Sequence, residues 1–227
     1  MVLVKYCTDR YNSAMGKAER TKKAIIEQVA PVFNRKGYAA TTVSDLTKTT
    51  GLSKGAIYGN FAGKDEVALL AFAHNVAFIR RRLDENIGGV ATFSEKLFAY
   101  PKTFREIYPK VLAAGGCPIV NTAVDSCDVN QPLQQAVRTV IEEWRGSLVK
   151  LLAGGVATGE LRKNCDPEKS ARVLVCLVEG GYAMAKVTGD VRYLENSLAE
   201  MEKILSALRD APTAGKKKVS AAGGEEQ

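Results

Sequence analysis

Two helix starts and one sharp turn fall within about twenty residues, Ala40–Gly59, and no other stretch restricts the fold so strongly. Thr42-Val43-Ser44-Asp45 has the capping-box pattern. The Thr hydroxyl can accept from the third backbone N–H, and the Asp can reach back to the cap. The helix it opens runs to about Thr49, with Val43 and Leu46 expected inward. Gly51 then supplies the positive φ of a tight turn. Ser53 caps the next helix, and Ile57 and Phe61 four residues apart turn one face toward a core.

The stretch Gly51–Phe61, GLSKGAIYGNF, carries three glycines and a lysine, and so invites a phosphate-loop reading. That reading fails, because no hydrophobic strand precedes it and GxxxxGK[ST] is absent. Two short helices joined by a glycine turn predict a helix-turn-helix instead.

The rest of the chain also reads as helix. Ile25, Val29, Val32 and Phe33 mark an amphipathic helix from Ala18 to Arg35, stopped by Gly37 and expected to kink at Pro31. A helix with an acidic first turn opens at Gly63-Lys64-Asp65-Glu66 and continues to Gly88-Gly89. Phe93–Ala114 is helical in pattern, and Pro101 and Pro109 are expected to bend or divide it. A short helix spans Ile119–Ser126. Leu133 to Leu151 repeat by threes and fours in a long helix ending near Gly159. Asp166-Pro167 caps an apolar helix over Ala171–Lys186, and Leu194, Leu198, Met201, Leu205 and Leu208 stripe the last one. The expected fold is all-α, with about nine helices.

Charge separates the chain into two parts. Residues 1–64 hold eleven Lys/Arg against four Asp/Glu, whereas residues 65–227 hold twenty-one of each. The net +7 therefore sits entirely in the first quarter, as expected of a module that meets a polyanion. No run approaches the ~18 apolar residues of a membrane span, and the first residues lack a secretory apolar core, so a cytoplasmic protein is expected. Five cysteines (Cys7, Cys117, Cys127, Cys165, Cys176) form no CxxC pair, and His74 is the only histidine. This argues against a metal site or a cofactor, and no catalytic constellation supports an enzyme.

KGYAATTVSDLTKTTGLSKGAIYGNFAGKDEV closely resembles the DNA-binding domain of TetR-type transcriptional regulators. The shared pattern is a helix ending in Gly-Tyr, a T-x-x-D-L helix, the G-L-S-x-G-A-I-Y-x-x-F turn and helix, and a Lys-acidic helix start. It covers roughly residues 18–78. Lack of period and polar composition suggest a flexible arm (1–17) and a disordered tail (211–227), and the resemblance implies a helix-turn-helix domain (18–64), a connecting helix (65–88) and a ligand-binding and dimerisation domain (89–210) between them. The helix after Ser53 would enter the major groove. Thr42, Thr47, Ser53, Lys54, Gly55, Tyr58, Asn60 and Lys64 become candidates for DNA contact, while Ala56, Ile57 and Phe61 are expected to pack. Gly59 and Gly63 depart from the family, where a phosphate-touching residue and a capping Ser or Asn are usual.

The resemblance further implies a homodimer on a palindromic double-stranded DNA operator, formed through helices at about 167–188 and 193–209, and repression relieved by a small apolar or amphipathic effector. Gly180 and Gly181 would admit a close partner helix, and the Leu194–Leu208 stripe would complete a four-helix interface. Phe78, Leu97, Phe98, Phe104, Tyr108, Trp144 and Tyr182 are the candidate pocket residues. Arg80-Arg81-Arg82 is expected to pair with Asp84 and Glu85 rather than with DNA. Control by cysteine oxidation, for example at Cys117 and Cys127, or by a protein partner stands as the alternative to a small ligand.

Overall fold

The computed structural model describes residues 16–126 and 129–209. Among these residues the chain forms nine helices and no strand. The first four are α1 (Lys17–Ala40), α2 (Val43–Thr50), α3 (Lys54–Tyr58) and α4 (Lys64–Gly88). Then follow α5 (Phe93–Ala113), α6 (Pro118–Ser126), α7 (Gln131–Thr158), α8 (Pro167–Thr188) and α9 (Arg192–Leu208). Most of the expected arm, the expected tail, Cys7 and Cys127 lie outside the described residues.

The first three helices and the start of α4 share one core. Ile25, Val29 and Phe33 of α1 meet Leu46, Ile57 and Phe61, with Val67 and Ala71 of α4 beneath them, all buried. Burying each such side chain contributes about 1.5–3 kcal/mol, and this is what holds a helix as short as α3 in place. Both proline-bearing helices run on past their prolines. Through Pro31, α1 keeps helical dihedrals, and its interruption lies at Gly37, at φ 79° and ψ 172°. α5 likewise runs undivided through Pro101 and Pro109. In each case the ring removes one backbone donor, while buried neighbours on both sides keep the helix packed.

Around the middle of the molecule α7, α8 and α9 pack in sequence, α9 also reaches α5, and α6 bridges α1 and α7. The expected subunit stripe is a further correction. Leu194, Leu198, Met201 and Leu205 are fully buried within their own chain. Gly181 explains how: a Cβ there would meet Cβ of Ser197 at 3.0 Å and Cα of Leu194 at 3.1 Å, so glycine lets α9 close onto α8. Gly180 faces open space instead. On that outer side of α8, Val173, Cys176, Met184 and Val187 are exposed, at offsets of three, eleven and fourteen residues from the first. Such spacing makes one apolar face.

A polar seam ties the two parts together. Asn34 of α1 donates to the carbonyls of Ala114 (3.0 Å) and Gly116 (2.9 Å). Asn121 of α6 donates to Oδ1 of Asn34 (3.0 Å) and to the carbonyl of Gly115 (2.8 Å), and Arg35 donates to the carbonyl of Ala113 (2.8 Å). Gly115, at φ 110°, lies so close that a Cβ would meet Cα of Arg35 at 3.2 Å. The α5–α6 loop is thus bonded directly to the end of α1, just before the helix-turn-helix.

Candidate nucleic-acid interface

Both caps form as the residue pattern requires. Oγ1 of Thr42 accepts from the Asp45 backbone N–H at 3.2 Å, and Asp45 returns the bond to the Thr42 N–H at 2.9 Å. The Lys36 ammonium at 2.5 Å, together with these Thr42 bonds, holds the Asp45 carboxyl well below the usual carboxylate range. Gly51 follows at φ 68°, and its N–H closes on the Thr47 carbonyl. Oγ of Ser53 accepts from the Ala56 N–H at 3.1 Å and starts α3.

α3 then points two ways. Ile57 is wholly buried, while Lys54, Gly55 and Ala56 are exposed on the opposite side. Ala56 was expected to pack and does not, because it lies one residue off the buried face. Lys54 has neither ion pair nor hydrogen bond among the described residues. Thr42 and Ser53 are exposed but occupied as caps, and Thr47 bonds back to the Ser44 carbonyl (3.0 Å). Tyr58 is half-buried, and Asn60 donates to the Ala56 carbonyl of its own turn (2.8 Å). Lys64 lies over the Tyr38 ring, 4.5 Å from its centroid. Lys48, exposed in the last turn of α2, borders the same surface and belongs with it on charge alone. Gly63 caps α4 without a side chain, and Glu66 accepts from the Ala62 N–H instead.

The arginine run is paired with acidic side chains at the protein surface. Arg80 pairs with Glu143 of α7 at 2.5 Å, and Arg82 with Glu85 and Glu106. Arg81 faces Glu85 at 4.0 Å, and Asp84 takes no part in these pairs.

The candidate pocket residues divide into a centre and a rim. Phe104, Trp144 and Tyr182 converge: Phe104 is 5.5 Å from Trp144 and 6.2 Å from Tyr182 between ring centroids. Leu97 is buried in the common core. Phe78, Phe98 and Tyr108 are half-buried, with Lys110 over the first ring and Arg209 over the second. Two residues that sequence reasoning did not place here stand beside the centre. Cys117 donates its S–H to Oε1 of Glu179 at 3.3 Å. Burial pushes the Glu179 carboxyl up to about 7 and the Cys117 thiol well above its usual range. The thiol therefore stays protonated, unlike a redox-active thiolate. Glu179 could have been noticed as the only acidic residue in the run Ala171–Lys186.

Residues 25–71 match the profile of bacterial regulatory proteins of the tetR family, and residues 94–201 match that of the tetracyclin repressor-like C-terminal domain. A solved transcriptional regulator from Cytophaga hutchinsonii is 32% identical, covers 88% of this chain and all of its own, and superposes with a TM-score of 0.82. The chain belongs to the TetR family. A second TetR regulator, from Chloroflexus aurantiacus, is 33% identical over 87% of this chain and all of its own, with a TM-score of 0.81. Among curated TetR relatives, the HTH-type transcriptional repressor NemR of Escherichia coli (strain K12) is 23% identical over 76% of this chain and 87% of its own. The TetR fold thus spans both the helix-turn-helix and the helical domain behind it. No described helix is long and apolar enough to cross a membrane.

Proposed function

We propose that this TetR-family regulator is a dimeric repressor that a small effector releases from a palindromic operator. The observation that carries the reading is α3: one face anchored by buried Ile57, the other offering Lys54, Gly55 and Ala56, exposed among the described residues. In the major groove, Lys54 would meet a base edge or phosphate, and Gly55 would let the backbone approach closely. Thr42, Thr47, Ser53, Tyr58, Asn60 and Lys64 surround it as candidates for phosphate contact, which fixes register rather than sequence.

The outer face of α8 is the proposed dimer surface, with Gly180 between Cys176 and Met184 and Tyr193 of α9 exposed nearby. Two copies would set their α3 helices about 34–36 Å apart, one turn of DNA. An effector bound among α5, α7 and α8 would reach the DNA module through the α5–α6 loop and Asn34. Binding energy spent on an arrangement with wider α3 spacing shifts the population off the operator.

Fluorescence anisotropy on a palindromic fragment from upstream of its own gene tests this. Specific binding that weakens steeply with salt is expected. Lys54→Ala should weaken it about tenfold or more, with melting temperature unchanged. Equal binding by Lys54→Ala would take α3 out of the groove.

A further inference from the structure

Three buried side-chain atoms lack any hydrogen-bond partner among the described residues: Nε1 of Trp144, Oε2 of Glu179 and the hydroxyl of Tyr182. They are neighbours. Tyr182 and Trp144 both pack on Phe104, and Glu179 stands one turn before Tyr182 on α8. Buried polar groups are nearly always paired, so three orphans in one place mark a spot the protein does not complete by itself.

The chemistry of the cluster narrows what completes it. Among the described residues Glu179 has no salt bridge, and its carboxyl is met only by the Cys117 thiol and the Val120 backbone N–H. Lys186, two turns further on α8, is turned to Asn121 at 2.8 Å. A carboxylate in such a place needs a cation, and its rise to about 7 has the cause expected, burial without a counter-charge. One turn on, Tyr182 carries one ring of an aromatic trio with Phe104 and Trp144, and π faces also attract a cation. Trp144 Nε1–H is left as a donor for an acceptor atom on the same molecule. An anion would be repelled by Glu179. A purely apolar molecule would leave all three polar atoms unpaired.

We propose that Glu179, Tyr182 and Trp144 form the polar end of the effector site and select a small organic cation: a protonated amine on an aromatic or apolar body. This rests on reading the helical domain as the effector domain. The ammonium donates to Oε2 of Glu179 and to the Tyr182 oxygen, and the rings enclose its carbon skeleton.

Trp144 is the single tryptophan of the chain, so its emission reports on the site directly. The full chain is titrated with benzylamine, benzyl alcohol and benzoate, which share a ring and differ in charge. Trp144 emission should respond to benzylamine with an affinity at least about tenfold above that for benzyl alcohol, and benzoate should bind more weakly than either. Glu179→Gln, checked by circular dichroism, should bring amine and alcohol to within about threefold of each other. Tyr182→Phe, which keeps the ring, should weaken the amine while leaving the alcohol-to-benzoate order unchanged. Benzoate or the alcohol binding as well as the amine, no amine response, or an unaltered preference in Glu179→Gln would each overturn the proposal. Operator binding by anisotropy is measured on the same samples. If it persists while the cation preference is absent, only this proposal fails; if the parent protein binds no operator, the regulator reading fails as well.

Discussion

Glu179→Gln should stabilise the protein at alkaline pH and do far less at acid pH. In the folded chain burial holds this carboxyl at about 7, against 4.5 for an ordinary glutamate. A raised acid pKa means that the folded state keeps a proton which the unfolded chain gives up. Stability from this group is complete below about pH 4.5 and is lost as pH rises to about 7, after which it levels off. With 1.36 kcal/mol for each pH step, the loss is about 1 kcal/mol by pH 5 and about 3 kcal/mol by pH 8. The Cys117 thiol and Tyr182 phenol face the same carboxyl, and both are raised, so neither ionises in that window. Gln cannot titrate, and its amide contributes only an offset that does not vary with pH. Urea unfolding of both proteins at pH 5 and pH 8, at one protein concentration, isolates the effect. The variant's advantage should grow by about 2–3 kcal/mol between the two pH values. An advantage that changes by less than about 0.5 kcal/mol would show that the carboxyl is not buried without a counter-charge.

The remaining predictions use other parts of the molecule. Ile57→Ala should cost about 2–5 kcal/mol, read by urea unfolding, because the side chain is wholly buried and α3 has too little length to stand alone. Met184→Glu, on the exposed face of α8, should shift sedimentation velocity from dimer to monomer at micromolar concentration while leaving the helical signal intact. Asn34→Ala removes the donor to the carbonyls of Ala114 and Gly116. It should cost about 1–3 kcal/mol and raise the effector concentration needed for operator release in an anisotropy competition, with Lys54 intact.

The helix-turn-helix was legible because its determinants are local. Thr42 with Asp45, Gly51, and Ser53 each act within four residues, and the structure returns each cap and the turn where they were expected. Apolar periodicity likewise found the long helices. What it could not show was which surface each apolar face meets. The Leu194–Leu208 stripe looks the same whether a second subunit or the chain's own α8 covers it, and the chain's own packing does. Gly180 and Gly181 are identical in sequence and opposite in role, one open and one touching α9. Pattern alone left open whether Pro101 and Pro109 divide α5, and they do not: one lost backbone bond is small beside the burial that flanks Pro101. Glu179 and Cys117 stand 62 positions apart, so no local pattern could join them.

The seam at Asn34 bears on how far this chain can be cut and recombined. A hybrid that grafts a foreign helical domain behind this helix-turn-helix would have to bring a two-glycine loop able to sit against Arg35, and a residue donating as Asn121 does. Without them, reader and sensor could each fold and still be deaf to one another. The smallest transplantable part is therefore neither domain alone but the pair with its connecting loop, residues 34–37 and 113–121 included.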